Sequence, residues 1–263
     1  MIKLEKINMV FGEGTPNRNH VLRDLDLKIN KGDFITIIGS NGAGKTTLYN
    51  VISGNLRPTS GQVEINNKPV TRDPEYKRAK YIGRIFQDPL LGTAGNMSIV
   101  DNMLVNGSKG FKGLKISLNR KKREYFRDQL TRLDMDLENR MKDNVGMLSG
   151  GQRQALTLLM MSLSRPELVL LDEHTAALDP RNASKVLDLT SRFIDEYNFT
   201  VMMITHNMQQ AIDFGNRLLM MDEGRVIVDI SGEEKKNMTV EALIKKFHEI
   251  RKKDFTSDEA LLS

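Results

Sequence analysis

Cysteine is absent from the 263 residues. Disulfides, thiolate metal sites and cysteine nucleophiles are thereby excluded, and a reducing compartment fits that absence. Long hydrophobic runs are absent too, and no stretch approaches the ~18–20 apolar residues that a membrane-spanning helix needs. The opening MIKLEKINMVF alternates charged and apolar residues and lacks the continuous apolar stretch of a secretory signal, so a cytoplasmic chain is expected. No internal repeat or low-complexity tract is visible. Charge of one sign is only mildly in excess: 39 Lys+Arg against 34 Asp+Glu give +5. That balance suits anionic partners such as nucleotide, nucleic acid or lipid headgroups and chooses none of them.

Hydrophobic residues make up 39% of the chain, with 20 glycines besides, the ordinary globular range. The length accommodates one large or two small domains with a sizeable core. Strand patterns dominate the first third. Ile2, Leu4 and Ile7 begin one strand, and Leu25, Leu27 and Ile29 share a face of a second over Val21–Ile29. Phe34–Ile38 is an apolar run broken only by Thr36, as expected of a strand buried on both faces. Further strands are predicted over Gln62–Val70 and Lys80–Phe86. Between Ser98 and Arg165 the pattern turns helical. Lys109–Arg127 is a basic block, eight Lys/Arg against Glu124 alone, and is read as a solvated face. Strands return at Leu168–Leu171 and Val201–Ile204. After Asp179, Val186, Leu189, Phe193 and Tyr197 form a helical stripe. Leu218–Asp222 and Arg225–Val228 flank Glu223-Gly224 as a hairpin, and a last helix over Val240–Ile250 puts Val240, Leu243, Ile244, Phe247 and Ile250 on one face. Alternating strands and helices predict a parallel sheet covered on both sides, interrupted by a helical insert at about 90–165. Met pairs at 160–161, 202–203 and 220–221 lie in apolar runs and read as core filler.

Gly39-Ser40-Asn41-Gly42-Ala43-Gly44-Lys45-Thr46 fits G-x-x-x-x-G-K-[ST], between a predicted strand and a predicted helix. Glycines let the backbone wrap a phosphate, and consecutive N–H groups with the positive helix end point at the anion. Lys45 supplies a point charge to the outer phosphates and the Thr46 hydroxyl a ligand for Mg²⁺. An ordinary glycine turn is the bland reading, which the strand–turn–helix context disfavours.

Leu168–Leu171 ends in Asp172-Glu173. Ligands of doubly wound sheets sit outside the carboxyl ends of the strands. Asp172 is therefore expected near the metal, and Glu173 as the base that polarises water for in-line attack on a γ-phosphate. His206 follows the strand Val201–Ile204 and would donate to that phosphate or water; taken alone, it reads better as a capping or surface histidine. Gln87, after Phe86, would reach Mg²⁺ or the water, and in isolation is a loop amide.

Leu148-Ser149-Gly150-Gly151-Gln152 opens a helix, with Ser149 and Gln152 spaced as a capping box. A box does not need the two glycines, which weaken a helix start. They make sense where a phosphate approaches the backbone. Since one phosphate loop is already present, a second phosphate-binding helix start suggests two chains sharing one nucleotide.

Together these motifs resemble the ATP-binding subunit of ABC (ATP-binding cassette) transporters. The resemblance covers residues 1–250 in family order: the phosphate loop 39–47, Gln87, LSGGQ at 148–152, Leu168–Glu173, Ala177-Leu178-Asp179 and His206. The segments LLDEHTAALDP and SGGQRQALTLLM are most similar to cassettes of bacterial uptake systems for aromatic amino acids. The resemblance implies an α/β P-loop NTPase fold with a RecA-like core, an antiparallel β subdomain and the helical insert, in an ATP-binding domain over 1–250 followed by a tail at 251–263. It implies an ATPase that powers a membrane permease, importing an amino acid or similar small solute. Phe11 would stack on adenine, and Gly39, Ser40, Asn41, Gly42, Ala43, Gly44, Lys45, Thr46 and Thr47 would hold the triphosphate. Lys45, Gln87, Glu173 and His206 would serve catalysis, and Thr46, Gln87 and Asp172 would hold Mg²⁺. A head-to-tail homodimer is implied in the ATP-bound state, with Ser149, Gly150, Gly151 and Gln152 of one copy closing on the nucleotide of the other and Asp179 at the interface. Gln87 would sit in the loop that senses the permease. An extracytoplasmic solute-binding protein would act indirectly, the chain would lie on the inner face of the cell membrane, and no nucleic acid is expected.

Many cassettes carry Pro where this chain has His174; a changed loop with intact chemistry is expected, rather than a second catalytic histidine. The alternative reading is a soluble cassette acting on ribosomes or DNA. Such proteins usually resemble tandem cassettes or carry long coiled-coil inserts, and this sequence has neither. A third, a regulator that binds without hydrolysing, is disfavoured by Glu173 and His206.

Overall fold

The computed structural model describes residues 1–106 and 119–261, with side chains through residue 250. They fall into two units, residues 1–73 with those from 202 onward, and residues 74–201. The first unit opens with β1 (Ile2–Phe11), β2 (Asn19–Ile29), β3 (Phe34–Gly39), α1 (Lys45–Ser53), β4 (Ser60–Ile65) and β5 (Lys68–Pro69). β1 lies between β2 and β4 in an antiparallel sheet, Leu4 opposite Leu27 on one side and Val63 on the other. Alternation buries Ile2 and Leu4, then skips a residue to Ile7 and Met9. Lys6, at φ 46, makes that irregularity, an extra residue that keeps the apolar face inward. The stretch predicted as one strand over Gln62–Val70 is instead the β4–β5 hairpin. Asn66 and Asn67 both adopt positive φ (52 and 59), the pairing that a two-residue hairpin turn requires and that Asn tolerates.

The second unit contains α2 (Glu75–Arg78), β6 (Ile82–Ile85), α3 (Ile99–Asn106), α4 (Arg120–Thr131), α5 (Gly150–Ser164), β7 (Leu168–Asp172) and α6 (Pro180–Tyr197). β6 and β7 pair in parallel, Ile82 opposite Leu168. α5 packs against α3, α4, α6 and β6. Apolar residues therefore surround its axis, Leu156, Leu158, Leu159 and Met160 all being buried. α6 buries Val186, Leu189 and Phe193 of the predicted stripe, while Tyr197 at its end is half-buried. Of the basic block, residues 109–118 lie outside the described residues. Arg120–Arg127 lies in α4, which buries only Phe126 and Leu130, so its cations face solvent. β8 (Thr200–Ile204) is buried throughout, and the boundary between the units falls within it.

The chain then returns to the first unit with α7 (Met208–Asp213), β9 (Arg217–Asp222), β10 (Arg225–Ser231), α8 (Gly232–Lys236) and α9 (Val240–Leu261). β3 runs parallel to β9, Ile37 opposite Leu219. Its Thr36 hydroxyl, fully buried, donates to Ala211 O at 2.7 Å, which is how a polar residue fits a strand covered on both faces. β9 and β10 form the predicted hairpin. The helix predicted over Val240–Ile250 continues to Leu261; Leu243 is buried and Phe247 and Ile250 pack on the same core, but Ile244 is 38% exposed, off the stripe. The three Met pairs are all buried. Among the described residues no helix is long and apolar enough to cross a membrane.

Candidate functional site

β3 leaves the sheet at Gly39, where an added Cβ would lie 2.2 Å from Met221 O. Only glycine permits that departure. Gly42 sits in open space at φ 85, so its requirement is conformational. α1 begins at Lys45 behind Gly44, which offers no side-chain cap to the first-turn N–H groups; such a helix start suits an anion. Lys45 is buried, and its Nζ donates to Gly39 O at 2.7 Å and Ser40 O at 3.0 Å. The ammonium is thus held across the loop. Ser40 Oγ donates to Asp222 Oδ1 at 2.9 Å, and Gly224 N–H to Ala43 O at 3.2 Å, so the β9–β10 turn braces the loop from behind. Ser40, Asn41, Gly42 and Thr46 are exposed, Thr47 half-buried.

The same unit holds two further predicted residues. His206 is exposed just past β8, where Thr205 N–H donates to Ile37 O at 3.2 Å. His206, Gly39 and Ser40 line one cavity of about 220 Å³, with Met208, Met220 and Phe247. Tertiary structure thus brings His206 to the start of the phosphate loop. Phe11 ends β1 opposite Asn19, its ring 39% exposed.

In the second unit, β7 delivers Asp172, whose Oδ2 accepts from Arg84 Nη2 at 3.0 Å; both side chains are nearly buried. Arg84 also lies over the Phe86 ring, 4.6 Å from its centroid. Glu173 is half-buried with φ 46, a left-handed conformation that costs a non-glycine residue about 1–2 kcal/mol. Strain of this kind persists where surrounding structure holds it. The turn is closed by Ala176 N–H donating to Glu173 O at 2.9 Å. His174 points into the interior. Thr190 Oγ1 donates to Val186 O at 2.7 Å, so it accepts from His174 Nε2 at 3.1 Å. Burial pushes the imidazole down to about 4, leaving it neutral near pH 7. A second catalytic histidine is therefore not what replaces Pro here; the ring is a fixed interior group. Gln87 is exposed after β6.

Ser149 and Gln152 form the predicted capping box: Ser149 Oγ accepts from Gln152 N–H at 3.3 Å and Gln152 Oε1 from Ser149 N–H at 3.2 Å. Arg153 donates to the carbonyls of Val145, Gly146 and Leu148 at 3.1–3.2 Å, tethering the preceding segment. Gly151 has a packing reason absent from the sequence pattern, since a Cβ there would meet Asn182 Cβ and Cγ at 2.8 Å. Asn182 in turn donates its backbone N–H to Asp179 Oδ1 at 3.1 Å and its side-chain amide to Oδ2 at 2.6 Å. Those bonds, the side-chain one first, hold the Asp179 carboxyl below the usual carboxylate range. Asp179 is the N-cap of α6, with Pro180 in the first turn.

Phe11, Gly39–Thr47 and His206 thus belong to the first unit, and Gln87, Ser149–Gln152, Asp172 and Glu173 to the second. Sequence reasoning missed Arg84, Asn182, Thr190, Asp222 and Gln154. The available signals were a charge inside the strand YIGRIF and a glutamine opening the apolar run after the capping box.

The family described as "ABC transporter" matches residues 22–176. The tyrosine transport ATP-binding protein of Clostridioides difficile (strain R20291) is 40% identical over 248 residues, covering 94% of this chain and 98% of that protein. The dimeric post-hydrolysis state of the ATP-binding cassette MJ0796, bound to ADP and Pi, superposes with a TM-score of 0.72 at 25% identity, over 88% of this chain and 98% of that one. The cassette cbiO1 of Clostridium perfringens, part of the ABC transporter complex cbiONQ, gives a TM-score of 0.73 at 27% identity, over 93% of each chain.

Proposed function

The chain belongs to the ABC transporter family as an ATP-binding, ATP-hydrolysing subunit with the P-loop cassette fold, and from that premise we propose that it drives uptake of an aromatic amino acid through a membrane permease. The observation that carries the solute assignment is the 40% identity, across nearly the whole of both chains, to a tyrosine transport ATP-binding protein.

In this reading Phe11 stacks on adenine and the loop amides of Gly39–Thr47 with Lys45 hold the phosphates. Thr46, Gln87 and Asp172 offer a hydroxyl, an amide carbonyl and a carboxylate, the hard oxygen set that suits Mg²⁺, which keeps waters and substrate phosphates as its other ligands. No group of three or more His, Cys, Asp or Glu that could hold a metal ion is present among the described residues. When bound, Mg²⁺ neutralises charge building on the phosphates. Glu173 takes the proton of the attacking water as the γ-phosphoryl bond to ADP breaks, and His206 donates to the γ-phosphate. A second copy, arranged head to tail, presents Ser149–Gln152 to the same nucleotide; the dimeric structure of MJ0796 supports a dimer. Contacts made only with the γ-phosphate give ATP more affinity than ADP for the closed dimer, which is the differential binding that motion requires.

The permease is proposed to dock in the second unit, where a cavity of about 480 Å³ is lined by Tyr76, Arg84, Gly92, Asn106, Thr157 and Met160 among others. Leu90 and Leu91, just after Gln87 in sequence, are exposed apolar side chains, as is Tyr76 at the cavity. In this reading the chain lies on the inner face of the membrane, and an extracytoplasmic binding protein delivers the solute.

Glu173→Gln should keep ATP binding, slow hydrolysis by orders of magnitude and accumulate an ATP-bound dimer. Cells lacking the chain should lose uptake of labelled tyrosine, restored by the wild type and not by Glu173→Gln. Hydrolysis by Glu173→Gln at the wild-type rate would remove the base assignment, and unchanged tyrosine uptake would remove the solute.

A further inference from the structure

The side chain of Gln154 is 1% exposed, in the first turns of α5. Its Nε2 donates to two main-chain carbonyls, His174 O at 2.8 Å and Phe86 O at 3.2 Å. Both amide hydrogens are used, each on a different segment. Its Oε1 is buried and accepts no hydrogen bond among the described residues. A buried acceptor without a partner is unfavourable, yet the amide cannot turn over, because that would set Oε1 against two carbonyl oxygens. The two N–H bonds therefore outweigh the orphaned oxygen.

The positions of those carbonyls matter. Phe86 immediately precedes Gln87, and His174 immediately follows Glu173. Glu173 is in a left-handed turn whose downstream end is pinned twice, at the His174 carbonyl by Gln154 and at the His174 ring by Thr190. Five residues earlier, Ser149 caps the same helix. Arg153, next to Gln154, fixes the segment leading into that cap.

We propose that Gln154 is a positioning residue for hydrolysis, one amide nitrogen aiming Gln87 and Glu173 from the helix that starts at Ser149. It touches no substrate. It acts through the backbone, so that a shift of α5 moves both carbonyls together. The proposal rests on the reading of Glu173 as the base. Small displacements of an aimed group carry large rate penalties, on the order of 10²-fold for about 1 Å.

The test is steady-state ATPase kinetics on the full chain. Gln154→Met keeps the shape and removes both donors; kcat should fall about ten- to hundredfold with KM for ATP little changed. Gln154→Asn keeps the donors but is one methylene too short to span both carbonyls, and should lose kcat in the same sense should the Met variant not fold. In the Glu173→Gln background, Gln154→Met should lower the residual rate by clearly less than it lowers the wild-type rate, because only the aim of Gln87 is left to lose. A merely structural role would lower the folded fraction while leaving kcat per nucleotide-binding site intact. Wild-type kcat in either variant, or multiplicative losses in the double variant, overturns the proposal. Should Glu173→Gln itself hydrolyse normally, the base assignment has failed; should it be inactive while Gln154→Met is normal, only the role of Gln154 has.

Discussion

His174 donates its Nε2 hydrogen to Thr190 Oγ1 at 3.1 Å, within the interior of the second unit and one residue beyond the strained Glu173 turn. Burial holds its pKa at about 4 in the folded chain, against an ordinary 6.5. Above pH 6.5 both folded and unfolded chains carry a neutral ring, and its contribution to stability is fully present. As pH falls from 6.5 toward 4 the unfolded chain takes up a proton that the folded one does not, and stability is lost by roughly 3 kcal/mol in all. Urea midpoints measured across that window should fall for the wild type and fall less for His174→Gln. An identical acid-side slope in the two proteins would show that another group is responsible.

Gly151→Ala should destabilise the fold although Ala is the better helix former by about 1 kcal/mol. The new Cβ would lie 2.8 Å from Asn182 Cβ, an atom fixed to the α6 backbone rather than to a flexible tip. A cost of about 1–3 kcal/mol is expected for such overpacking, read as a lower midpoint in chemical denaturation. Equal or greater stability would mean that α5 and α6 separate freely there.

Ser149→Phe should spare nucleotide binding by the monomer but block ATP-dependent dimerisation, followed by light scattering in the Glu173→Gln background. Loss of the Ser149–Gln152 box also costs about 1 kcal/mol of helix stability. Ser149→Asn, which keeps a capping oxygen, separates that local loss from the steric block.

Lys45→Ala should abolish measurable binding of a fluorescent ATP analogue. The amine bonds the Gly39 and Ser40 carbonyls, so its removal both takes away a positive charge and loosens the loop. Retained affinity would show that the loop amides suffice.

Local order was legible wherever one chemical requirement acts on adjacent residues. The phosphate loop, the capping box, the Glu223-Gly224 hairpin and the α6 stripe each announce themselves within a few positions. Where two such requirements overlap, the local pattern misleads. Gln62–Val70 reads as one strand because Val63 and Ile65 alternate with polar residues and no glycine marks the turn at Asn66-Asn67. The glycines of LSGGQ read as a requirement of phosphate alone, whereas Gly151 also answers to Asn182, 31 positions away.

From sequence by itself follow the identity of the chemistry and the order of its parts: a phosphate loop, an acidic strand end, a serine-led helix start. Those are short-range patterns in which backbone conformation and residue type specify each other. Only the folded chain decided which carbonyls Lys45 holds, that Asp172 meets Arg84, that His174 turns inward to Thr190 and that Gln154 ties Phe86 to His174. Apart from Lys45, whose carbonyls lie five and six residues away, each pairs polar groups far apart along the chain, chosen because burial leaves little water to satisfy them and packing leaves one partner within reach.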